Sequence, residues 1–282
     1  VRLDGIHHVT CITADAPRNV EYYTGVLGLR LVKKTVNQDD PTVYHLFYAD
    51  ENGSPGADIT FFEYPGAREG RAGAGMVHTV VWRVGSEEAI EFWRSRVGSV
   101  PFRDPDGLQH DLVVSSVPDA PLIADHPEIP REFALQGFEG VRAYGATPSA
   151  FLDALGFETG LTRGDSRQGW ISYEPAPAEP GIGGSGTVHH VAWACELGEE
   201  QAWIERVAAA GVRPTTVIDR FWFRSVYFRE PTGVLFEIAT KGPGFAADED
   251  PAHLGESLIL PPNFEHLRAT VEPLLTPLPR TR

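Results

Sequence analysis

The chain has 282 residues, 42% of them hydrophobic and 22% charged, with a formal charge of -15. That length supports a generous core, in one large domain or two ordinary ones. The acidic balance argues against nucleic acid as a partner, because a polyanion is repelled where Lys33 and Lys34 are the only basic cluster. No apolar run approaches the roughly 20 residues of a membrane span, so no membrane partner is expected.

The first residues lack the basic, apolar and small-residue succession of a signal peptide, which makes the cytoplasm the expected location. Cys11 and Cys195 each lie in an apolar, strand-like run and read as small buried hydrophobes rather than as a disulfide or metal ligands.

In chain order, residues 6–12 alternate like a strand, Asp15 caps a helix with Pro17 in its first turn, and Gly28 ends it. An extended region follows, with strands at 43–48 and 59–62 around the turn Asn52-Gly53-Ser54-Pro55-Gly56. The same order returns as a strand over 76–84, a helix over 86–97 closed by Gly98, and a strand over 111–117. A third copy has a strand over 140–144, a helix from Thr147-Pro148 to Gly156, and a strand over 170–173. The fourth has a strand over 188–194, a helix over 199–210 stopped by Gly211, and strands over 221–228 and 234–239. Four copies of roughly 50 residues indicate duplication. They predict an α+β fold of four βαβββ modules. Sequence order divides it into an N-terminal pair at 1–117 (modules 1–70 and 76–117), a Pro- and Asp-rich linker at 118–136, and a C-terminal pair at 137–240 (modules 137–180 and 187–240). A tail over 241–282, with a short helix at 265–274, reads as a lid or a brace.

The phrase Ile6-His7-His8-Val9 recurs as Val188-His189-His190-Val191, which predicts that modules one and four meet and that the functional pairing crosses the sequence-order division. Side chains alternate across a strand, so one histidine of each pair faces a given side. His8 travels with Thr10, and His190 with Ala192 and Ala194; these small or polar companions suit a cavity. His7 and His189 travel with bulky apolar residues, as core or supporting histidines. In the second and third modules the ligand slot falls to Thr79 and Gly140, which cannot act as imidazole ligands. Glu237 stands four residues after Gly233, as Asp111 stands four after Gly107 and Thr60 four after Gly56. Two imidazoles and one carboxylate leave half an octahedron open, the arrangement that suits non-haem Fe(II) and substrate together. Mn(II) accepts the same geometry. His45 could face this cavity, and so could one pleat face of Phe221, Trp222, Phe223 and Phe228. His78 reads as core, and His110 as a turn histidine that is solvent-facing or locally bonded.

On these phrases, with Tyr44-His45-Leu46, Ser54-Pro55-Gly56, Thr60-Phe61-Phe62, Gly233-Val234-Leu235-Phe236-Glu237 and the tail's Asp248-Glu249-Asp250, the chain resembles the vicinal oxygen chelate superfamily of glyoxalases, bleomycin resistance proteins and extradiol dioxygenases. Within it, the chain is similar to ring-cleaving dioxygenases of the hydroquinone 1,2-dioxygenase type. The resemblance implies cupped mixed sheets with flanking helices and an Fe(II) held by His8, His190 and Glu237. It implies second-sphere roles for Thr10, Arg220 and Tyr227, with His7 and His189 nearby. The implied reaction inserts both atoms of O2 into a dihydroxylated ring, a hydroquinone or a catechol, and a homo-oligomer is compatible with it. Glu63 departs from the family pattern; as a fourth ligand it would favour a glyoxalase I-like isomerase. A resistance protein that sequesters small molecules without metal is the non-enzymatic alternative.

Overall fold

The computed structural model describes residues 1–280. The first module begins with β1 (Ile6–Thr13), which buries Val9 and Cys11, and continues with α1 (Ala16–Val20), where the Asp15 carboxylate accepts the N–H of Arg18. A π-helical turn over Glu21–Val26 extends α1, and β2 (Arg30–Asn37), β3 (Asp40–Ala49) and β4 (Asp58–Glu63) complete the unit. The second comprises β5 (Val77–Val84), α2 (Glu87–Val97), capped by Ser86 and stopped at left-handed Gly98, then β6 (Phe102–Arg103) and β7 (Gln109–Val114). The third is β8 (Phe138–Tyr144), α3 (Ser149–Leu155), β9 (Leu161–Arg163) and β10 (Gln168–Glu174). The fourth is β11 (Val188–Cys195), α4 (Glu200–Ala209), β12 (Ile218–Asp219), β13 (Arg224–Arg229) and β14 (Leu235–Thr240).

The middle modules carry two strands after the helix instead of the expected three. Between α2 and β7 only residues 98–108 are available, and between α3 and β10 only 156–167. Such spans hold one short strand and two turns.

The strands form two mixed sheets. One is eight-stranded, in the order β12-β13-β14-β11-β1-β4-β3-β2, and the other six-stranded, β6-β7-β5-β8-β10-β9. Hydrogen bonding therefore joins module one to module four through the antiparallel β1/β11 seam, and module two to module three through β5/β8. The sheets cut across the sequence-order pairs 1–117 and 137–240. Trp82, Trp93, Trp193 and Trp203 are fully buried between the sheets and their helices, and Cys11 and Cys195 are free and buried.

His110 is not a turn histidine. It lies on β7, wholly buried, where Trp82 Nε1 donates to its Nδ1 (3.1 Å). Its Nε2–H is left to donate to Tyr23 Oη (3.0 Å), which donates to Asp104 Oδ2 (2.9 Å). This fully paired chain ties the first helix to the second module, and burial pushes the His110 pKa down to about 3. The tail acts as a brace. Lys33, buried on β2, pairs with Asp248 (2.7 Å) and Glu249 and donates to Phe245 O (3.1 Å).

Candidate metal centre

Inward-facing residues of the eight-stranded sheet follow from its register. His8 stands opposite Ala192 on β11, which stands opposite Glu237 on β14, which stands opposite Tyr227 on β13. One residue pair along, Thr10 faces His190 on one side and Thr60 on the other. The sheet's curl brings three of these side chains to one point. Glu237 Oε2 lies 3.1 Å from His8 Nε2 and 2.9 Å from His190 Nε2, and the two ring nitrogens are 3.3 Å apart. All three residues are buried, and they are the one group of metal-ligating side chains that converges this way among the described residues.

Both Glu237 oxygens are buried without a hydrogen-bond donor despite these short approaches, because the imidazoles do not direct an N–H at them. The tautomer of His8 explains this. His7 Nε2 is 3.1 Å from the Thr240 carbonyl, which can only accept, so His7 carries its hydrogen there. Burial, reinforced by His8, lowers the His7 pKa to about 3, so its ring is neutral and Nδ1 is an acceptor. His8 Nδ1, 2.9 Å away, donates to it and leaves Nε2 as a bare lone pair. His189 Nδ1 sits 2.8 Å from His190 Nδ1 in the matching position. An orphaned buried carboxylate and lone pairs converging on one point are the donor set of a cation.

Strict alternation would send His7 and His189 to the helix side. Instead each is the extra residue of a β-bulge. The β1/β11 register skips His7 between Ile6 and His8, and skips His189 between His190 and Val188. The bulges turn these rings back against the ligand rings. His7 is buried against Phe223, while His189 is exposed and packs edge-on to Phe62.

A small cavity opens over this point, lined by His8, His190, Phe47, Phe62, Trp222 and Phe223, with Asn37, Gln38, Asp39, His45, Arg220 and Tyr227 as its other walls. Tyr227 lies on β13 beside Glu237, and burial, with Glu237, raises its pKa, so it is a neutral phenol. Arg220 follows β12 instead of lying on a strand. Its guanidinium meets Asp39 at 3.0 and 3.3 Å and stacks 5.5 Å over the Tyr227 ring. Residues 221–223 are not a strand: Phe221 takes a φ of 74°, and a tight turn closes from Arg220 N to Phe223 O. Trp222 and Phe223 therefore both face the cavity, and Phe228 packs away from it on Phe236.

Glu63 faces the helix side, accepting from Ala16 N (3.1 Å) and Thr276 Oγ1 (3.0 Å), far from any ligand role. The symmetry-related partner of Glu237 is Thr60, a hydroxyl. Asp111 pairs with Arg142 at 2.8 Å. Asn37, Gln38 and Asp39 went unread in the sequence; their only signal was a polar turn inside an extended stretch. Asp58, opposite His8, also carried no signal. Burial, with Asp50 and Glu237, raises its carboxyl well above the usual range.

The chain belongs to the glyoxalase/bleomycin resistance protein/dioxygenase superfamily, whose pattern matches residues 5–99 and 149–238. A protein of Bacillus subtilis (strain 168) named "Putative ring-cleaving dioxygenase MhqO" is 38% identical over 97% of this chain and 96% of its own. The chlorohydroquinone/hydroquinone 1,2-dioxygenase of Sphingobium indicum is 29% identical, covering 95% of this chain and 94% of its own. A crystal structure of a dioxygenase of Bacillus subtilis, itself described as putative, superposes with a TM-score of 0.88 at 37% identity, over 99% of this chain and 98% of that one. Glyoxalase I from Zea mays shares the fold, with a TM-score of 0.55 at 16% identity over 84% of this chain. No helix among the described residues is long and apolar enough to cross a membrane.

Proposed function

We infer that the chain is a ring-cleaving dioxygenase that opens a dihydroxylated aromatic ring, a hydroquinone in first place and a catechol in second, at an Fe(II) held by His8, His190 and Glu237. The observation that carries this reading is the donorless Glu237 carboxylate and the two facing imidazole nitrogens at the floor of an aromatic-lined cavity. Ferrous iron in such a site supplies a meeting place where a deprotonated phenol and O2 exchange electrons. The ring itself provides the electrons, and both oxygen atoms enter the product, so no outside reductant is needed. Mn(II) fits the same donors.

The chain's own groups do the rest. Phe47, Phe62, Trp222 and Phe223 hold the ring and exclude water. Arg220 remains charged in spite of burial, paired with the Asp39 carboxylate, and it is placed to hold a phenolate or a developing anion. Tyr227, neutral and within the same wall, can give or take a proton on the substrate oxygen. Thr10 Oγ1 receives its hydrogen bond from Thr60 at 2.9 Å, which leaves the Thr10 proton for an oxygen at the site. His7 and His189 orient the two imidazole ligands through their Nδ1 atoms. An isomerase with a fourth carboxylate finds no support here, since Thr60 fills that slot. Free buried thiols at Cys11 and Cys195 fit the cytoplasm as the proposed location.

The test is to purify the protein without oxygen, load it with Fe(II), and follow O2 uptake with hydroquinone, substituted hydroquinones and catechol. Uptake with a ring-opened product, lost in His190→Ala, is the expected result. Stoichiometric iron with no uptake on any diol overturns the reading.

A further inference from the structure

His45 enters the same cavity from β3, its ring packed between Phe47 (centroids 4.0 Å) and Phe62 (4.4 Å). It stands opposite Phe62 on β4, four residues beyond Asp58, which is opposite His8. Its backbone is thus two strands over and about 13 Å along the sheet from that of His8. The two side chains line the same cavity from different strands.

The hydrogen of His45 can be placed. Its Nε2 lies 2.9 Å from Thr60 Oγ1, and Thr60 donates its own hydroxyl to Thr10 Oγ1 at 2.9 Å. A hydroxyl has one proton, so with that of Thr60 committed to Thr10, the oxygen of Thr60 receives from His45. The imidazole carries its hydrogen on Nε2. Burial, with His8, His190 and Arg220 nearby, keeps the ring neutral. Nδ1 is therefore a lone pair, and no donor of the described residues bonds to it. Of the cavity's other polar groups, Arg220 is donor only, Tyr227 is a phenol that both gives and takes, and the acceptor Asp39 is engaged by Arg220. In the open cavity water can meet this acceptor, and a bound molecule that displaces the water must supply a donor or lose that bond.

We propose that His45 Nδ1 accepts a hydrogen bond from the substrate hydroxyl that is not at the metal site, which makes His45 the residue that selects a second, protonated hydroxyl on the far side of the ring. This rests on the dioxygenase reading and narrows it to 1,4-diols. In a catechol the second hydroxyl is adjacent to the first and stays at the metal end; in a hydroquinone it projects away, toward the wall that holds His45. A site built around a hydroxyl disfavours the analogue lacking it, because that analogue displaces water from the protein's polar atom and offers it no donor. His45 acts by binding; the Thr60–Thr10 chain fixes which nitrogen it presents.

The experiment measures equilibrium binding without oxygen, so that no turnover intervenes. Hydroquinone and phenol, which differ only in the second hydroxyl, are titrated into the iron-loaded protein by calorimetry. Three proteins are compared: wild type, His45→Phe, which keeps a ring but no acceptor, and His45→Gln, which restores an acceptor oxygen. The wild type is expected to prefer hydroquinone by ~10- to 100-fold. His45→Phe brings the two ligands within about threefold by weakening hydroquinone alone, at unchanged iron content, and His45→Gln recovers part of the preference. Equal affinity of the wild type for the two ligands overturns the proposal whatever the variants do. An undiminished preference in His45→Phe overturns it as well. A protein that shows the preference yet consumes no O2 with hydroquinone sinks the dioxygenase reading and leaves the His45 contact standing.

Discussion

The molecule contains the same cup twice, and only one copy is equipped for chemistry. In both, an antiparallel seam joins two modules, and each seam strand is flanked by a parallel neighbour from its own module. Even the bulges recur: the β5/β8 register skips His78 and Glu139 as β1/β11 skips His7 and His189. His78 is consequently not core; it is half-buried, stacked on Tyr144, with Nδ1 2.9 Å from Thr79 Oγ1, much as His7 lies against His8. The slots differ. By register, Thr79 answers to His8, Gly140 to His190, Ser172 to Glu237 and Asp111 to Thr60. Trp170 lies where any side chain on Gly140 would be, 2.2 Å from the missing Cβ. Arg142, in the place of Ala192, brings its own positive charge to Asp111. Duplication therefore supplies a curved frame with two bulges, and a handful of inward residues decides whether a cation is borrowed from solution or built from arginine.

The sharpest way to break this contrast is Glu237→Gln, expected to lower metal affinity and diol-dependent O2 uptake by more than 100-fold, beyond the range typical of outer-shell changes. Metal analysis and an oxygen electrode read it, and Asp111→Asn, the same change in the second cup, should leave both untouched. Retained iron in Glu237→Gln would mean that the two cups differ less than their slots indicate. Lys33→Met should cost about 3 kcal/mol, because it strands Glu249 against buried surface and leaves Asp248 only the Trp222 N–H. Urea midpoints check this, and no loss would show the tail to be ornamental to the first cup.

His110 provides a pH signature for the second cup. Its folded pKa, about 3, lies below the ordinary 6.5, so the unfolded chain binds more protons between those values. The stability from keeping this ring neutral is full above about pH 6.5 and is lost as the pH falls toward 3. From pH 7 to pH 5 the loss is about 2 kcal/mol. His110→Gln should be flatter than wild type by that amount in urea titrations, and parallel curves would refute it. The smallest effect is expected from Arg142→Met, within about 1 kcal/mol, since its pair with Asp111 is partly exposed.

Much of the candidate site was legible because strand alternation is local. His8 and Thr10, or His190 and Ala192, share a face whatever lies around them, and Glu237 sits at a fixed step from the turn glycine Gly233. The expected positions of His7, His110 and Phe221 failed for reasons that are not local. A bulge exists only where two strands pair with unequal counts. His110 is buried by Tyr23 from the first module and by Trp82 from the neighbouring strand, and the 221–223 turn is held by Gln38, Asp248 and Lys33 from elsewhere in the chain.

By itself the sequence determined the repeat, the α+β class and the three residues with ligand chemistry, since each follows from spacing along one strand or across one turn. Only the tertiary structure decided that modules one and four share a sheet, that Glu63 faces a helix while Thr60 takes the symmetric slot, and that His45 lines the cavity with its Nε2 on Thr60. Those depend on strand pairing and hydrogen-bond direction between distant segments, which spacing along the chain does not encode.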